Sequence, residues 1–252
     1  MIYVVTHKKF EMSLPDGYKV LNIGTDDCVG DNIGYKNANY CELTGLYSLY
    51  KNSSDEYVGL VHYRRFFADR LSLFDYAFLK SPLKPLSFQK AKNILKDYDF
   101  ILPQKQHLYE NAYDDYKHYH CEEDLILTRD VLITKYPEYG KAFDVVMDRN
   151  TIYPCNMIIS SKQVFDDYCK WLFDILFEVE NQIDLTKYGE DKYNSRVFGF
   201  LSERLLNVYV EYNKSSVCEM PIVFLGWKPY QNSLYYRRKI NKQVDAVYYT
   251  SK

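Results

Sequence analysis

Residues 57–65 read Tyr57-Val58-Gly59-Leu60-Val61-His62-Tyr63-Arg64-Arg65. Five uninterrupted apolar or small residues, set off by the polar stretch 52–56, predict a strand covered on both faces, which is how strands of a parallel sheet look. The chain opens on a similar run, Ile2-Tyr3-Val4-Val5-Thr6. Shorter ones follow near residues 20–23, 99–103, 155–159 and 222–225. Between them the apolar positions change to three- and four-residue spacing. Tyr40, Leu43, Leu46, Tyr47 and Tyr50 predict one amphipathic helix over residues 36–51. Val164, Tyr168, Trp171, Leu172, Ile175, Leu176 and Val179 predict a second over 164–183, and Leu201, Leu205, Val208 and Tyr212 a third over 197–212. Residues 69–98 and 104–150 read as loop and further helix. Strand–helix alternation of this kind predicts an α/β fold with a mostly parallel central sheet flanked by helices.

The 252 residues suit a single domain, and no repeat or Gly/Pro-rich linker divides them. Thirty-two basic against 34 acidic side chains give a net charge of -2, so no global field draws the protein to nucleic acid. Six cysteines without a CxxC pair, and an amino terminus without an apolar signal core, predict a reduced, cytoplasmic protein. No apolar stretch reaches the ~20 residues of a membrane span. The segment Tyr235-Tyr236-Arg237-Arg238-Lys239 has the aromatic and basic composition of a membrane-surface patch, which keeps peripheral attachment at the inner face of the cell membrane open as the alternative to a freely cytoplasmic protein.

Ligands of open α/β sheets bind beyond the carboxyl ends of the strands. Three predicted strand ends carry polar, anion-competent groups: Thr6-His7-Lys8, His62-Tyr63-Arg64-Arg65 and the region of Asn156. A guanidinium keeps its charge and needs water or an anion, and phosphate oxygens suit it. The alternative for the arginine pair is a surface ion pair. His62 and Tyr63 are read as neutral donors at the same rim. Lys36, next to a predicted helix start, adds a cation or is simply a solvated first-turn lysine. Asp26-Asp27 and Glu122-Glu123-Asp124 are candidates for a divalent metal but end no predicted strand and read equally as solvated faces. His118-x-His120 resembles a metal clip without a third ligand at suitable spacing and fits a polar lid over the substrate equally well. Glu203 sits in a strongly apolar helix start, where burial raises a carboxyl's proton affinity and makes it a candidate general base. An ion pair with Arg204 or Arg196 is the equal alternative. Cys41, Cys155 and Cys169 fall on apolar stripes and read as inert thiols, and no P-loop or Gly-rich dinucleotide fingerprint is present.

Several of these segments together resemble a bacterial glycosyltransferase family of capsular and exopolysaccharide gene clusters, long labelled a domain of unknown function. They are residues 2–8, Asp31-Asn32-Ile33, Lys36-Asn37 with Tyr40-Cys41-Glu42-Leu43-Thr44, Gly59 through Arg65, Asp124-Leu125, Tyr136-Pro137-Glu138-Tyr139, Asn156-Met157 and the run from Arg196 to Leu206. The resemblance covers about residues 1–212. It implies a single GT-A-like, Rossmann-like domain, with a nucleotide-binding half to about residue 105 and an acceptor-binding half beyond. The implied reaction moves a sugar, galactose or galactofuranose favoured, from a UDP-sugar to a glycan or undecaprenyl-linked acceptor. In that frame Thr6, His7, Lys8, Asn32, Lys36, Asn37, Glu42, His62 and Tyr63 bind the donor, and His120, Asp124, Asn156, Met157 and Arg204 the acceptor. Glu203 is then the base of an inverting enzyme. Arg64 and Arg65 stand where related enzymes carry an Asp-x-Asp metal motif, so no divalent metal or other cofactor is expected. A sugar-phosphate (phosphoryl) transferase and a non-catalytic glycan- or nucleotide-binding module are the competing readings.

Overall fold

The computed structural model describes residues 1–10, 13–23, 30–69 and 85–224. Asp26-Asp27, Leu225 and the Tyr235-to-Lys239 segment lie outside the described residues.

The strands are β1 (Ile2–Thr6), β2 (Tyr18–Asn22), β3 (Tyr57–His62), β4 (Arg65–Phe67), β5 (Phe100–Pro103), β6 (Gln106–His107), β7 (Thr151–Ile152), β8 (Ile158–Ser161), β9 (Val217–Met220) and β10 (Ile222–Phe224). The main sheet runs β2-β1-β3-β8-β5-β9, and β4 and β10 extend it from the carboxyl end of β3. β1 is parallel to β2 and β3, and β5 to β9, while β8 runs against both β3 and β5. Most strands of the sheet therefore point the same way, with β8 and the short β4 reversed. β6 and β7 form a separate two-stranded ribbon.

The continuous apolar runs of β1 and β3 reflect burial on both faces. Val5, Val58 and Leu60 join one core, and Ile2, Val4 and Val61 the other. Helices α2 (Leu43–Asn52), α5 (Glu122–Lys135), α6 (Gly140–Met147), α7 (Lys162–Gln182) and α8 (Val197–Asn213) contribute to the first core, and α3 (Phe88–Ile94) packs on the second through Ala91. Gly59 marks a close approach within the sheet: a Cβ there would lie 3.0 Å from side-chain atoms of both Ile159 and Ile2.

Three expectations need correction. The helix expected over 36–51 is broken. α1 (Asn37–Tyr40) ends at Cys41, whose φ of 50° and ψ of -128° no helix accommodates, and α2 starts afresh at Leu43. The strand expected over 155–159 starts only at Ile158, because Cys155 and Asn156 both take positive φ. And His62-Tyr63-Arg64-Arg65 is a hairpin rather than a strand end: His62 pairs with Arg65, and β4 leads straight back toward β10. Among the described residues no helix is long and apolar enough to cross a membrane.

Candidate functional site

Because β8 is reversed, its amino end lies beside the carboxyl end of β3, with Ile158 opposite Leu60. The turn preceding β8 therefore faces the same rim as the His62 hairpin, which is why Asn156 joins the site from in front of its strand. Cys155 holds φ at 78° and Asn156 at 48°. A left-handed conformation is ordinary for asparagine, whereas for cysteine it is strained and persists only when the surroundings enforce it. Here the strained peptide serves two partners, the Cys155 N–H meeting the Glu203 carboxylate and the Cys155 carbonyl the His62 ring. The thiol lies 3.5 Å from an Arg65 guanidinium nitrogen.

The next residue ties the turn to two helices. The Asn156 amide donates to Glu42 Oε1 at 2.8 Å and to the Gly199 carbonyl at 3.0 Å, while its Oδ1 is 2.9 Å from the Ser202 hydroxyl. Glu42 occupies the break between α1 and α2, so the Cys41 kink is what turns its carboxyl toward Asn156.

This arrangement sets the charges. Burial, reinforced by the Glu42 carboxylate, pushes Glu203 up to about 7, in spite of Arg204, Arg65 and the Cys155 N–H. Burial pushes His62 down to about 4, Arg65 and Arg196 adding to the effect and Glu42 opposing it. Burial also opposes charge on Glu42, but the His62 ring, the Asn156 amide and Arg196 hold its carboxyl below the usual range. Since His62 is uncharged at neutral pH, the amide and the guanidinium carry that effect there. At neutral pH the site thus holds a charged Glu42, a neutral imidazole and a carboxyl poised between its two states.

A cationic rim borders this floor. His7 meets Tyr63 edge-on, ring centroids 5.5 Å apart, and Arg64 lies 5.3 Å from the centroid of the Tyr63 ring. Burial lowers the pKa of His7, and the charges of Lys8, Arg196 and Arg64 lower it further, which places three cations around one imidazole. No ion pair with a carboxylate joins Lys8, Arg64 or Arg196 among the described residues; Arg196 Nε instead approaches the Cys41 thiol at 3.0 Å, and its guanidinium covers the Phe200 ring at 5.6 Å. On the far side of Arg196, His120 stacks on Phe200 with centroids 4.0 Å apart and bonds Asn194 through Nδ1 at 3.0 Å. Burial, with Arg204 and Arg196, lowers His120 to about 4 although Asn194 opposes the shift.

Other expected site residues lie elsewhere or are engaged. Arg64 and Arg65 do not face one anion together: Arg64 is exposed at the hairpin tip, whereas Arg65 sits on β4 opposite His62, beside Cys155. Lys36 pairs with Glu180 of α7 and is no solvated first-turn cation. Asn32 closes a local turn with Gly30 and Gly34, and Asn37 accepts from the Thr44 hydroxyl at 3.4 Å. The Thr6 hydroxyl is bound to the Lys8 backbone. Met157 is fully buried in the second core. Asp124, 1 % exposed, is held by Lys187 and Tyr188. Arg204, 4 % exposed, pairs with Asp115 at 2.7 Å and with neither Glu203 nor an open surface. The metal candidates also disperse: Glu122 bonds Tyr113 and Lys117, Glu123 accepts from Cys121, and His118 turns to Glu110 while His120 turns to Asn194. Among the described residues no three His, Cys, Asp or Glu side chains gather to hold a metal ion.

Residues 1–214 match the family described as a domain of unknown function, DUF4422. The chain belongs to the DUF4422 family. Among solved structures, the apo form of the WbbM bifunctional glycosyltransferase superposes on this DUF4422 chain with a TM-score of 0.77 and 28 % sequence identity. The match covers 90 % of this chain and 45 % of that one, so this chain spans less than half the length of its structural neighbour. No curated protein matches. The GT-A-like α/β fold implied by the sequence resemblance is the fold observed.

Two residues of the DUF4422 site were not among the expected ones. Arg196 closes the turn Asn194–Arg196 at the start of α8, three, four and seven positions before Gly199, Phe200 and Glu203, the spacing that would share a face in a continuous helix. That spacing was the available signal. Cys155 left none, because its contribution lies in backbone geometry.

Proposed function

We propose that this chain is an inverting glycosyltransferase. It takes a sugar from a UDP-sugar donor and passes it to a glycan or undecaprenyl-linked acceptor in surface polysaccharide synthesis, at the inner face of the membrane. The observation that carries the proposal is Glu203: a carboxyl whose pKa is raised to about 7, at a strand rim bordered by three cations, of which Lys8 and Arg64 make no ion pair with a carboxylate among the described residues and Arg196 also acts on Glu42. Likeness to a glycosyltransferase at 28 % identity supports the same reading. The resemblance favours galactose or galactofuranose.

In this mechanism Lys8, Arg64 and Arg196 receive the donor diphosphate. The acceptor oxygen forms a bond to the anomeric carbon from the face opposite the diphosphate and gives its proton to Glu203. The carbon–oxygen bond to phosphate breaks, and its electron pair stays on the leaving diphosphate. Fixed cations at that point stabilise the charge as it develops, an effect worth several kcal/mol in preorganised sites. Asn156 and Arg65 act as positioning groups, the first by holding Glu42 and the second by its place beside Cys155.

Two results are expected. Replacing Arg196 or Arg64 by Gln weakens UDP binding about tenfold each, the range of a charge-assisted hydrogen bond, and flattens its salt dependence; titration calorimetry at two ionic strengths reads both. Donor turnover persists in EDTA, since the charge on the diphosphate is met by side chains; loss in EDTA with recovery on adding Mn²⁺ overturns that point. Product analysis decides the reaction class: free UDP means glycosyl transfer, UMP means phosphoryl transfer, and no donor breakdown by concentrated protein means a binding module.

A further inference from the structure

The segment 191–196, between α7 and α8, is held in one shape by its own hydrogen bonds. The Asp191 carboxylate accepts from the backbone N–H groups of Tyr193 at 3.0 Å and Asn194 at 3.1 Å, and from the Asn194 amide at 2.8 Å. The Asn194 amide oxygen faces His120 Nδ1 at 3.0 Å, and the Ser195 carbonyl accepts from the Asn39 amide of α1 at 2.7 Å. What the turn presents is an aromatic ring. Tyr193 is 41 % exposed, yet its ring centroid lies 5.2 Å from that of Phe200 and 5.9 Å from that of His120, and His120 stacks on Phe200 at 4.0 Å. The His120 ring is inclined by 22° to each of the other two, so the three make a shallow wall with Tyr193 at its open side. Ordering an exposed side chain costs entropy; here the turn and the two inner rings impose that order before any ligand arrives.

The wall adjoins the proposed base. Phe200 precedes Glu203 by three residues within α8, so the two share a face with Cβ atoms about 5–6 Å apart. Helical side chains lean toward the amino end, which carries the Glu203 carboxyl back over the turn of Phe200. Both side chains are half-buried and reach solvent. Burial pushes the Tyr193 hydroxyl up to about 12, Arg196 opposing the shift and Glu203 adding to it, so the phenol stays uncharged beside them. A flat apolar surface next to a carboxyl that takes a hydroxyl proton fits a ring with carbon–hydrogen bonds on its faces and hydroxyls at its edge, which is the form of a pyranose. In an inverting transfer the base touches the acceptor hydroxyl and reaches the anomeric carbon only across it. The ring seated beside Glu203 is therefore the acceptor's, and the donor's uracil lies at the other end of the diphosphate.

We infer that Tyr193 and Phe200, backed by His120, form the acceptor subsite and stack against the face of a sugar ring, so that the acceptor is a glycoside and not a bare lipid phosphate. The inference rests on the glycosyltransferase reading and deepens it: the cations hold the diphosphate, and the aromatic wall sets the acceptor ring with a hydroxyl at Glu203.

The test uses the full chain, with and without UDP, and saturation-transfer difference NMR on methyl glycosides of galactose, glucose, N-acetylglucosamine, mannose and rhamnose. At least one should receive saturation, strongest on the carbon-bound protons of one ring face, and farnesyl phosphate, a lipid phosphate without a sugar, should not displace it. Tyr193→Ala should weaken that binding about 2–10-fold, the range of one aromatic stack. Tyr193→Leu, apolar but without a ring, should lose as much, and Tyr193→Trp should keep it. UDP affinity by calorimetry should be the same in all four proteins. Glycoside binding unchanged in the alanine and leucine variants, no saturation of any glycoside by a wild type that binds UDP, or displacement by farnesyl phosphate overturns the subsite. Loss of UDP affinity in Tyr193→Ala puts uracil on the wall and overturns it too. Failure of the wild type to bind UDP at all overturns the proposed function instead, and the glycoside measurement without UDP still decides whether the wall takes a sugar.

Discussion

Glu203→Gln lowers the transfer rate by about 10²–10⁴-fold, the usual contribution of a general base, and leaves UDP affinity unchanged. Glutamine keeps the size of the side chain and an oxygen to accept the Cys155 N–H, so the loss reports the missing proton acceptor. The wild-type rate should rise with pH through about 7, falling tenfold per unit below it, because only the ionised carboxyl accepts a proton and burial sets its midpoint there. Glu42→Gln removes a negative charge that raises Glu203, and the limb should move to lower pH. Stability runs the other way. A carboxyl whose folded pKa exceeds its unfolded value of 4.5 favours the fold fully below 4.5 and loses that contribution as pH rises through about 7. Glu203→Gln should therefore melt higher than wild type at pH 8, the difference shrinking toward pH 5. Initial rates and melting temperatures across pH 5–9 check both halves; an unchanged rate profile removes Glu203 from the proposed mechanism.

The strands that build the floor were readable because burial on both faces leaves a run of β-branched and aromatic residues, as in Ile2–Thr6 and Tyr57–His62. The helix Lys162–Gln182 was readable because its buried stripe, from Tyr168 to Val179, repeats over about three turns. Direction was another matter. Nothing in Ile158–Ser161 says that this strand runs against its neighbours, since orientation depends on connections and not on local pattern. Arg65 read as part of a strand end, and only the pairings of His62 with Arg65 and of Val223 with Phe66 make Arg65-Phe66-Phe67 a strand of its own.

The same distinction explains the site. A carboxyl among apolar neighbours, Glu203, shows in a helical pattern, and so do polar residues at the ends of β1 and β3. Partner choice does not. Lys36 meets Glu180 across 144 positions, and Arg204 meets Asp115 across 89; neither separation leaves a mark on periodicity. The bends at Cys41 and Cys155 were invisible because neither position holds glycine, the residue that usually announces a positive φ. Yet the first aims Glu42, and the second joins Glu203 to His62.

Arg204→Met is expected to destabilise the fold by about 3–5 kcal/mol, the cost of leaving one partner of a buried ion pair alone. Arg204 and Asp115 are 4 % and 8 % exposed and are joined at 2.7 Å between α8 and α4 (Ala112–Tyr119). Burial already raises the Asp115 pKa against the pull of Arg204, so its charge is held at a cost even in the intact pair. Asp115→Leu should be similarly damaging, since it strands a guanidinium that cannot neutralise itself and whose Nε already lacks a partner among the described residues. The double variant Arg204→Met/Asp115→Leu removes both charges and should recover most of the loss, because well-packed apolar side chains often replace a buried pair without penalty. Urea midpoints of the four proteins give the coupling energy. Losing the Arg204 charge also lets the Glu203 pKa rise further, so turnover of the double variant is read on the alkaline plateau: if Arg204 serves only to anchor α4 against α8, restored stability brings restored turnover there, whereas a stable double variant inactive at every pH returns Arg204 to acceptor binding.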